Sequence, residues 1–409
     1  MKKVLPIFLG ILTAIGGFVD MGDLVANAAV GARFGMNLAW VVLVGIVGIV
    51  LYAEMSGRVA AITGRAVFDL VRDRLGPGAA ALNLGASFFI NALTLIAELA
   101  GVAIAISLVA SVSYLLLVPL VAVLVWLVIW RMPFERMEQV FGLLGLGLVV
   151  FLVAVVRIGP DWSELLHQTS APHIPHDESI WTTSYYAIAL FGAAMTPYEV
   201  FFFSSGAVEE RWTSRDLAIE RANVLVGFPL GGLLSLSIMA ASAIVLLPAG
   251  IQVEQLTQVP LPVVESIGRI GLAVALVGIF GATFGAALET ALSAGYGVAQ
   301  YFGWQWGKYV RPSDATRFHL VVLLTIIGAA LVALSGVDPV KVTEYSIVLS
   351  AAALPLTYLP ILVVANDPEY MGDRCNGRFV NLLASIYLVI LLVVAAAAIP
   401  LIIITKGGA

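Results

Sequence analysis

Long apolar runs separated by short polar loops fill the chain from end to end. A run of roughly 18–25 mostly apolar residues is long enough to cross a bilayer as a helix, with every backbone group satisfied inside the segment. The pattern predicts eleven such spans, near residues 5–30, 37–62, 80–110, 112–130, 137–157, 181–207, 221–248, 270–301, 317–336, 342–365 and 379–404. No polar block of domain size and no Gly/Ser linker separates them. The expectation is one all-α polytopic membrane domain over residues 1–409.

Two of the runs are broken in the middle. The first carries Gly16-Gly17-Phe18-Val19-Asp20-Met21-Gly22-Asp23, two carboxylates three residues apart among glycines. The sixth carries Met195-Thr196-Pro197-Tyr198-Glu199. Pro197 removes a backbone amide and blocks a regular helix, so the sixth span is expected to break near Thr196. Gly22 is expected to supply a backbone conformation that lets the chain wrap an ion. An offset of five spans inverts the second set of helices relative to the first. Two five-helix repeats of opposite orientation, each opening with a discontinuous helix, are the signature of the LeuT-type transporter fold. Repeat one then covers about 1–157, repeat two about 181–366, and an accessory helix about 379–404.

Composition agrees with the pattern: 61% of the 409 residues are hydrophobic and only 11% charged, against roughly 25% charged in a soluble domain. The single cysteine, Cys375, excludes an internal disulfide and a cysteine-based metal or redox centre. Met1-Lys2-Lys3 resembles the start of a signal peptide. The apolar run continues past Asp20 into Val25 without a cleavage site, however, so it reads as a first span. Of the 21 lysines and arginines, only Arg33, Arg157, Arg269, Lys341 and Lys406 fall on the side opposite the N-terminus. That asymmetry predicts a cytoplasmic N-terminus and an extracellular C-terminus. The longest outer loop, 159–180, is acidic and holds His167, His173 and His176 without tight metal-ligand spacing.

Carboxylates inside apolar spans are costly and mark ion paths. Neither broken span holds a lysine or arginine that would pair with them. An unwound helix exposes carbonyls on its first half and amides on its second. Carbonyl and carboxylate oxygens together suit a hard cation. Asp20, Asp23 and Glu199 are therefore candidate ligands. Tyr198, with the run Phe201-Phe202-Phe203, reads as core or gate. Glu54 in span two and Glu289 in span eight are candidates for a pathway or for hydrogen-bonded structural acids.

At these residues the chain resembles the natural-resistance-associated macrophage protein (Nramp) family of divalent metal transporters. The family's first-span motif Asp-Pro-Gly-Asn corresponds to Asp20-Met21-Gly22-Asp23, and its sixth-span Met-Pro-His to Thr196-Pro197-Tyr198. Gly57 through Thr63-Gly64-Arg65 at the end of span two also resembles the family. So does span ten, from Leu354-Pro355 through Pro360 to Asp367 and Met371-Gly372. The resemblance runs through most of the chain with the same number of spans, and it implies the same broken-helix fold.

The departures bear on the substrate. Manganese- and iron-carrying members use the methionine sulfur of the sixth-span motif, where this chain has Thr196; the motif asparagine is Asp23, and Glu199 is an added acid. The implied ligand set is Asp20, Asp23, Thr196 and Glu199. All three changes favour hard anionic oxygen, hence Mg²⁺, with Mn²⁺ also accommodated. Of the family's third-span acids Leu95 replaces one and Glu98 remains on a possible pathway, and span nine has no basic residue after Arg317. This combination resembles the Nramp-related magnesium transporter branch and implies alternating access without obligatory proton coupling. A proton-coupled Mn²⁺/Fe²⁺ importer remains the alternative. An amino-acid transporter of the same fold is more remote, because acids at both breaks repel a substrate carboxylate. No Ser/His pair and no HExxH motif supports an enzyme, and His319 stands alone. The expected partners are the transported Mg²⁺ or Mn²⁺ and the lipid of the cell membrane, with no cofactor and no nucleic acid. No oligomeric state is fixed, and a monomer is consistent with the sequence.

Overall fold

The computed structural model describes residues 18–176 and 178–408, and all regular structure among them is helical. Among the described residues ten helices are long and apolar enough to cross a membrane. These are spans two to five (Ala39–Thr63, Val67–Ala110, Tyr114–Arg131, Phe134–Ile158) and six to eight (Ile180–Glu209, Leu217–Val245, Arg269–Phe302). Spans nine to eleven are Thr316–Leu334, Pro339–Ala365 and Arg378–Ile404. Span one is described from Phe18, and its second half is the helix Met21–Phe34. Its first half, with Gly16, Gly17 and the basic start Lys2-Lys3, lies outside the described residues.

The spans fall where the apolar runs place them, with two differences. The helix of span three begins at Val67 and bends at Gly76, whose φ of 83° only glycine adopts freely. The charged segment before that bend, with Arg72, Asp73 and Arg74, joins the helix although it is too polar to be read as a span. The second difference is a short helix, Trp162–Ser170, inside the loop between spans five and six, started by Asp161 accepting from the amides of Ser163 and Glu164.

Burial divides the described helices into two apolar clusters. One gathers spans one, two, six, seven, ten and eleven with parts of three, five and eight; the other gathers spans four and nine with the rest of three, five and eight and Phe202 of span six. Lipid offers no hydrophobic drive between helices, so close packing must hold them together. Spans five and eight cross on glycine: a Cβ on Gly278 would stand 2.5 Å from the Leu148 nitrogen, and one on Gly281 2.4 Å from Leu144 Cβ. The outer faces stay apolar, as at Leu116, Ile270 and Phe379, which are 73%, 77% and 76% exposed and suited to lipid contact.

The two ends of the bundle differ in charge. At one end Arg33 pairs with Glu178 and donates from Nη1 to the Gly408 carbonyl (2.8 Å), so the C-terminal segment closes over the end of span one. At the other end Arg58 donates to the Arg374 carbonyl (2.5 Å), and Arg58 and Arg221 both pair with Glu54.

Candidate metal site

The first span unwinds at Val19 and Asp20. Asp20 is extended (φ −105°, ψ −175°) and caps the second half-helix, its Oδ1 accepting from the Asp23 amide (2.8 Å). This is the ordinary work of an aspartate at an N-cap, satisfying one of the amides that a helix start leaves free. A second free amide, that of Met21, donates to Glu98 Oε1 from span three (2.9 Å). Asp23 lies one turn on, within the helix. It accepts from Asn27 Nδ2 (2.9 Å) and from the hydroxyl of Ser235 on span seven.

The sixth span ends its first half at Ala194 and restarts at Pro197, with Thr196 as the cap residue. Proline at the first helical position has no amide to leave unsatisfied, which places the break where its ring forces it. The Thr196 hydroxyl donates to the Ala193 carbonyl (2.8 Å), and Tyr358 of span ten donates to the Met195 carbonyl (3.1 Å). Two carbonyls near the break, expected from sequence to serve an ion, therefore each already receive a hydroxyl.

The breaks face one another. The Tyr198 hydroxyl donates to Asp20 Oδ2 across them (3.2 Å), while Ser293 of span eight holds the Tyr198 carbonyl (3.1 Å). Asp20, Asp23, Glu98, Glu199 and Glu289 are all buried, and their charges act on one another across spans one, three, six and eight. Among the described residues none of the five forms an ion pair with a lysine or arginine. Glu98 Oε2 and Glu199 Oε1 are buried with no hydrogen-bond partner among them. Leaving anionic oxygen so enclosed and unpartnered is costly, and a cation offsets that cost.

The donor set is oxygen. The Met195 sulfur lies 2.6 Å from where a Cβ on Gly48 would stand, against span two, and the Met21 sulfur lies 3.0 Å from the corresponding point on Gly101, against span three. Both thioethers are packing groups. Among the described residues, no three His, Cys, Asp or Glu side chains converge closely enough to grip one ion directly. The acids ring the break and do not meet at a point.

Several sequence expectations change here. Gly22 is helical with no positive φ, so it does not loosen the chain around an ion. It is glycine because a Cβ would meet Ile347 Cγ2 of span ten at 2.6 Å. Glu54 is bound by Arg58 and Arg221 at the basic end and stands outside the ring of acids. Glu98, expected on a pathway, and Glu289, expected on a pathway or as a hydrogen-bonded structural acid, sit within that ring. Phe201 meets Phe68 edge-on and Phe202 stacks with Phe134 in the core, and Phe203 packs on Phe228 and Trp212. The partners Ser235, Asn27 and Tyr358 carried no sequence signal, being a serine, an asparagine and a tyrosine within apolar spans.

Comparison with known proteins agrees with this architecture. The family described as natural resistance-associated macrophage protein-like matches residues 10–401. The chain is 27% identical over 383 residues to the divalent metal cation transporter MntH of Erwinia tasmaniensis, covering 89% of this chain and 87% of that one. It is 25% identical over 386 residues to the protein of the same name from Pectobacterium carotovorum, covering 91% and 89%. Among solved structures, the manganese transporter of Eremococcus coleocola superposes with a TM-score of 0.68 at 20% identity, over 95% of this chain and 85% of that one. A Na⁺-coupled sialic acid symporter superposes with a TM-score of 0.64 at 14% identity, over 95% and 89%, a likeness of fold alone. The fold is the LeuT type, and with its two facing acidic breaks this chain is a multi-pass membrane transporter that belongs to the Nramp family of divalent metal transporters.

Proposed function

We propose that the protein carries a hard divalent cation, Mg²⁺ with Mn²⁺ also accepted, by alternating access across the cell membrane without obligatory proton coupling. The N-terminus is cytoplasmic in this reading and the C-terminus extracellular. The observation that carries it is the all-oxygen ring of buried acids at the two breaks, with both nearby methionine sulfurs turned into packing. Asp20, Asp23, Thr196 and Glu199 are the proposed ligands. Thr196 keeps lone pairs for a cation while its proton goes to Ala193. Mg²⁺ dehydrates reluctantly and keeps several waters. A ring of acids too wide to grip a bare ion suits one bound through its water shell.

A second reading is a proton-coupled Mn²⁺ importer. It is favoured by the unpartnered Oε2 of Glu98 beside the first break and by the relatives named for divalent metal and manganese transport. Uptake of Mg²⁺ and Mn²⁺ into proteoliposomes, with internal pH recorded, separates the two. Mg²⁺ entry without acidification is the expected result. Entry of Mn²⁺ alone, together with protons, would replace the first reading by the second. Thr196→Met, which restores a sulfur at the break, is expected to shift relative uptake toward Mn²⁺; unchanged selectivity would remove Thr196 from the ligand set.

A further inference from the structure

Span five and span eight form a narrow, partly open groove beside the ring of acids. It is lined by Glu138, Phe141 and Gly142 from span five and by Gly281, Gly285 and Glu289 from span eight, among others. Residues 281, 285 and 289 follow one another at i, i+4 and i+8, so they form one stripe on span eight. Toward the Arg33 end the groove is shut by the glycine crossing, where span eight approaches Leu144 and Leu148 too closely for any side chain. At Gly285 the helices have parted: an added Cβ would meet Phe141 Cβ at an ordinary 3.4 Å. Residues 144 and 281, then 141 and 285, face one another, and this antiparallel register brings Glu138 to the level of Glu289.

Glu289 is the reason to read the groove as more than a packing fault. Its residue is 7% exposed, it lines the groove, and among the described residues its carboxylate has no hydrogen bond. On its other side its charge acts on Asp20 at the first break. Glu138 is half-buried, and its charge acts on Lys308 in the loop after span eight, so it faces the basic end of the bundle.

We propose that Glu289, with Glu138 opposite it, is a second cation station, holding a divalent ion between the break and the basic end of the bundle. The station deepens the transport reading above and rests on it. An ion leaving Asp20 meets an uncompensated carboxylate one step away, so it does not cross the apolar interior bare. The glycine crossing bars the opposite direction, which makes the basic end the way out.

Thiol protection tests it. In a Cys375→Ser background, Gly285→Cys places a thiol in the groove with room for its Cβ. A cationic thiol reagent is expected to label this position and to stop uptake. Mn²⁺ is expected to slow labelling, and that protection should survive Asp20→Ala and vanish in Glu289→Gln. Uptake by Glu289→Gln is expected to fall about tenfold, a barrier rise of ~1.4 kcal/mol. Protection that depends on Asp20 and not on Glu289, a position 285 that no reagent reaches, or wild-type uptake by Glu289→Gln would overturn the station. The transport reading would still stand in each case. It fails separately, if Asp20→Ala binds Mn²⁺ as wild type does.

Discussion

Glu98 of span three accepts a hydrogen bond from the backbone amide of Met21 (2.9 Å), 77 residues away in sequence. The second half of span one thus starts on two acids at once, Asp20 from its own chain segment and Glu98 from a neighbouring helix. Both suit the positive end of a helix, where free amides and the macrodipole favour negative charge. The break is held open by groups that also face the ring of acids, so its shape and its charge are one feature.

Glu98 can be split into those two roles. Glu98→Ala leaves the buried Met21 amide unsatisfied, at a cost of about 1–3 kcal/mol. Glu98→Gln keeps an acceptor and removes the charge. Thermal unfolding in detergent is expected to show a clear drop for alanine and little change for glutamine. Equal losses in both variants would mean that the charge, and not the bond, holds the half-helix.

Asp20→Ala is expected to abolish Mg²⁺ and Mn²⁺ binding at the two breaks in calorimetry, leaving only the weaker binding at Glu289, while the protein still folds. The lost cap costs about 1 kcal/mol of stability, too little to unfold a bundle of this size. Retained wild-type affinity would remove Asp20 from the site.

Ile347 of span ten packs against the second half of span one and the first half of span six. A Cβ on Gly22 would meet its side chain at 2.6 Å, and one on Gly192 would meet its carbonyl oxygen at 2.3 Å. Gly22→Ala and Gly192→Ala are each expected to destabilise by about 1–3 kcal/mol through overpacking. Adding Ile347→Ala removes the atom that clashes at Gly22 and leaves the backbone that clashes at Gly192. Rescue of the first variant only, read as melting temperature, is the expected outcome; rescue of both or neither would refute this account of the packing.

Lys308 gives a pH dependence outside the spans. Burial pushes its amine down from 10.5 to about 8, against the pull of Glu209 and Glu138. Between those two values the native state holds fewer protons than the unfolded chain, so stability rises as pH rises from about 8 to 10.5. Lys308→Met keeps the backbone bond from residue 308 to Glu209 Oε1 and removes the titration. The difference in melting temperature between wild type and the variant should therefore narrow across that window. A constant difference would show that the amine is not buried in its charged state.

Much of the architecture was written locally. Apolar run length sets the spans because an uncapped backbone cannot sit in lipid. Pro197 sets the second break because its ring and missing amide act on the residues beside it. Asp20 as the first break's acid is equally local, a cap next to the helix it starts. What the chain could not show is which groups meet across it. Gly22 reads in sequence as freeing the chain to wrap an ion and is a contact point for Ile347; Glu54, open in sequence between a path and a structural acid, is held by two arginines. Glu289 entered the ring of acids only because span eight packs against spans one and six. Hydrogen bonds and charge act over a few ångströms in space, and residues separated by dozens of positions come within that range only when the helices pack.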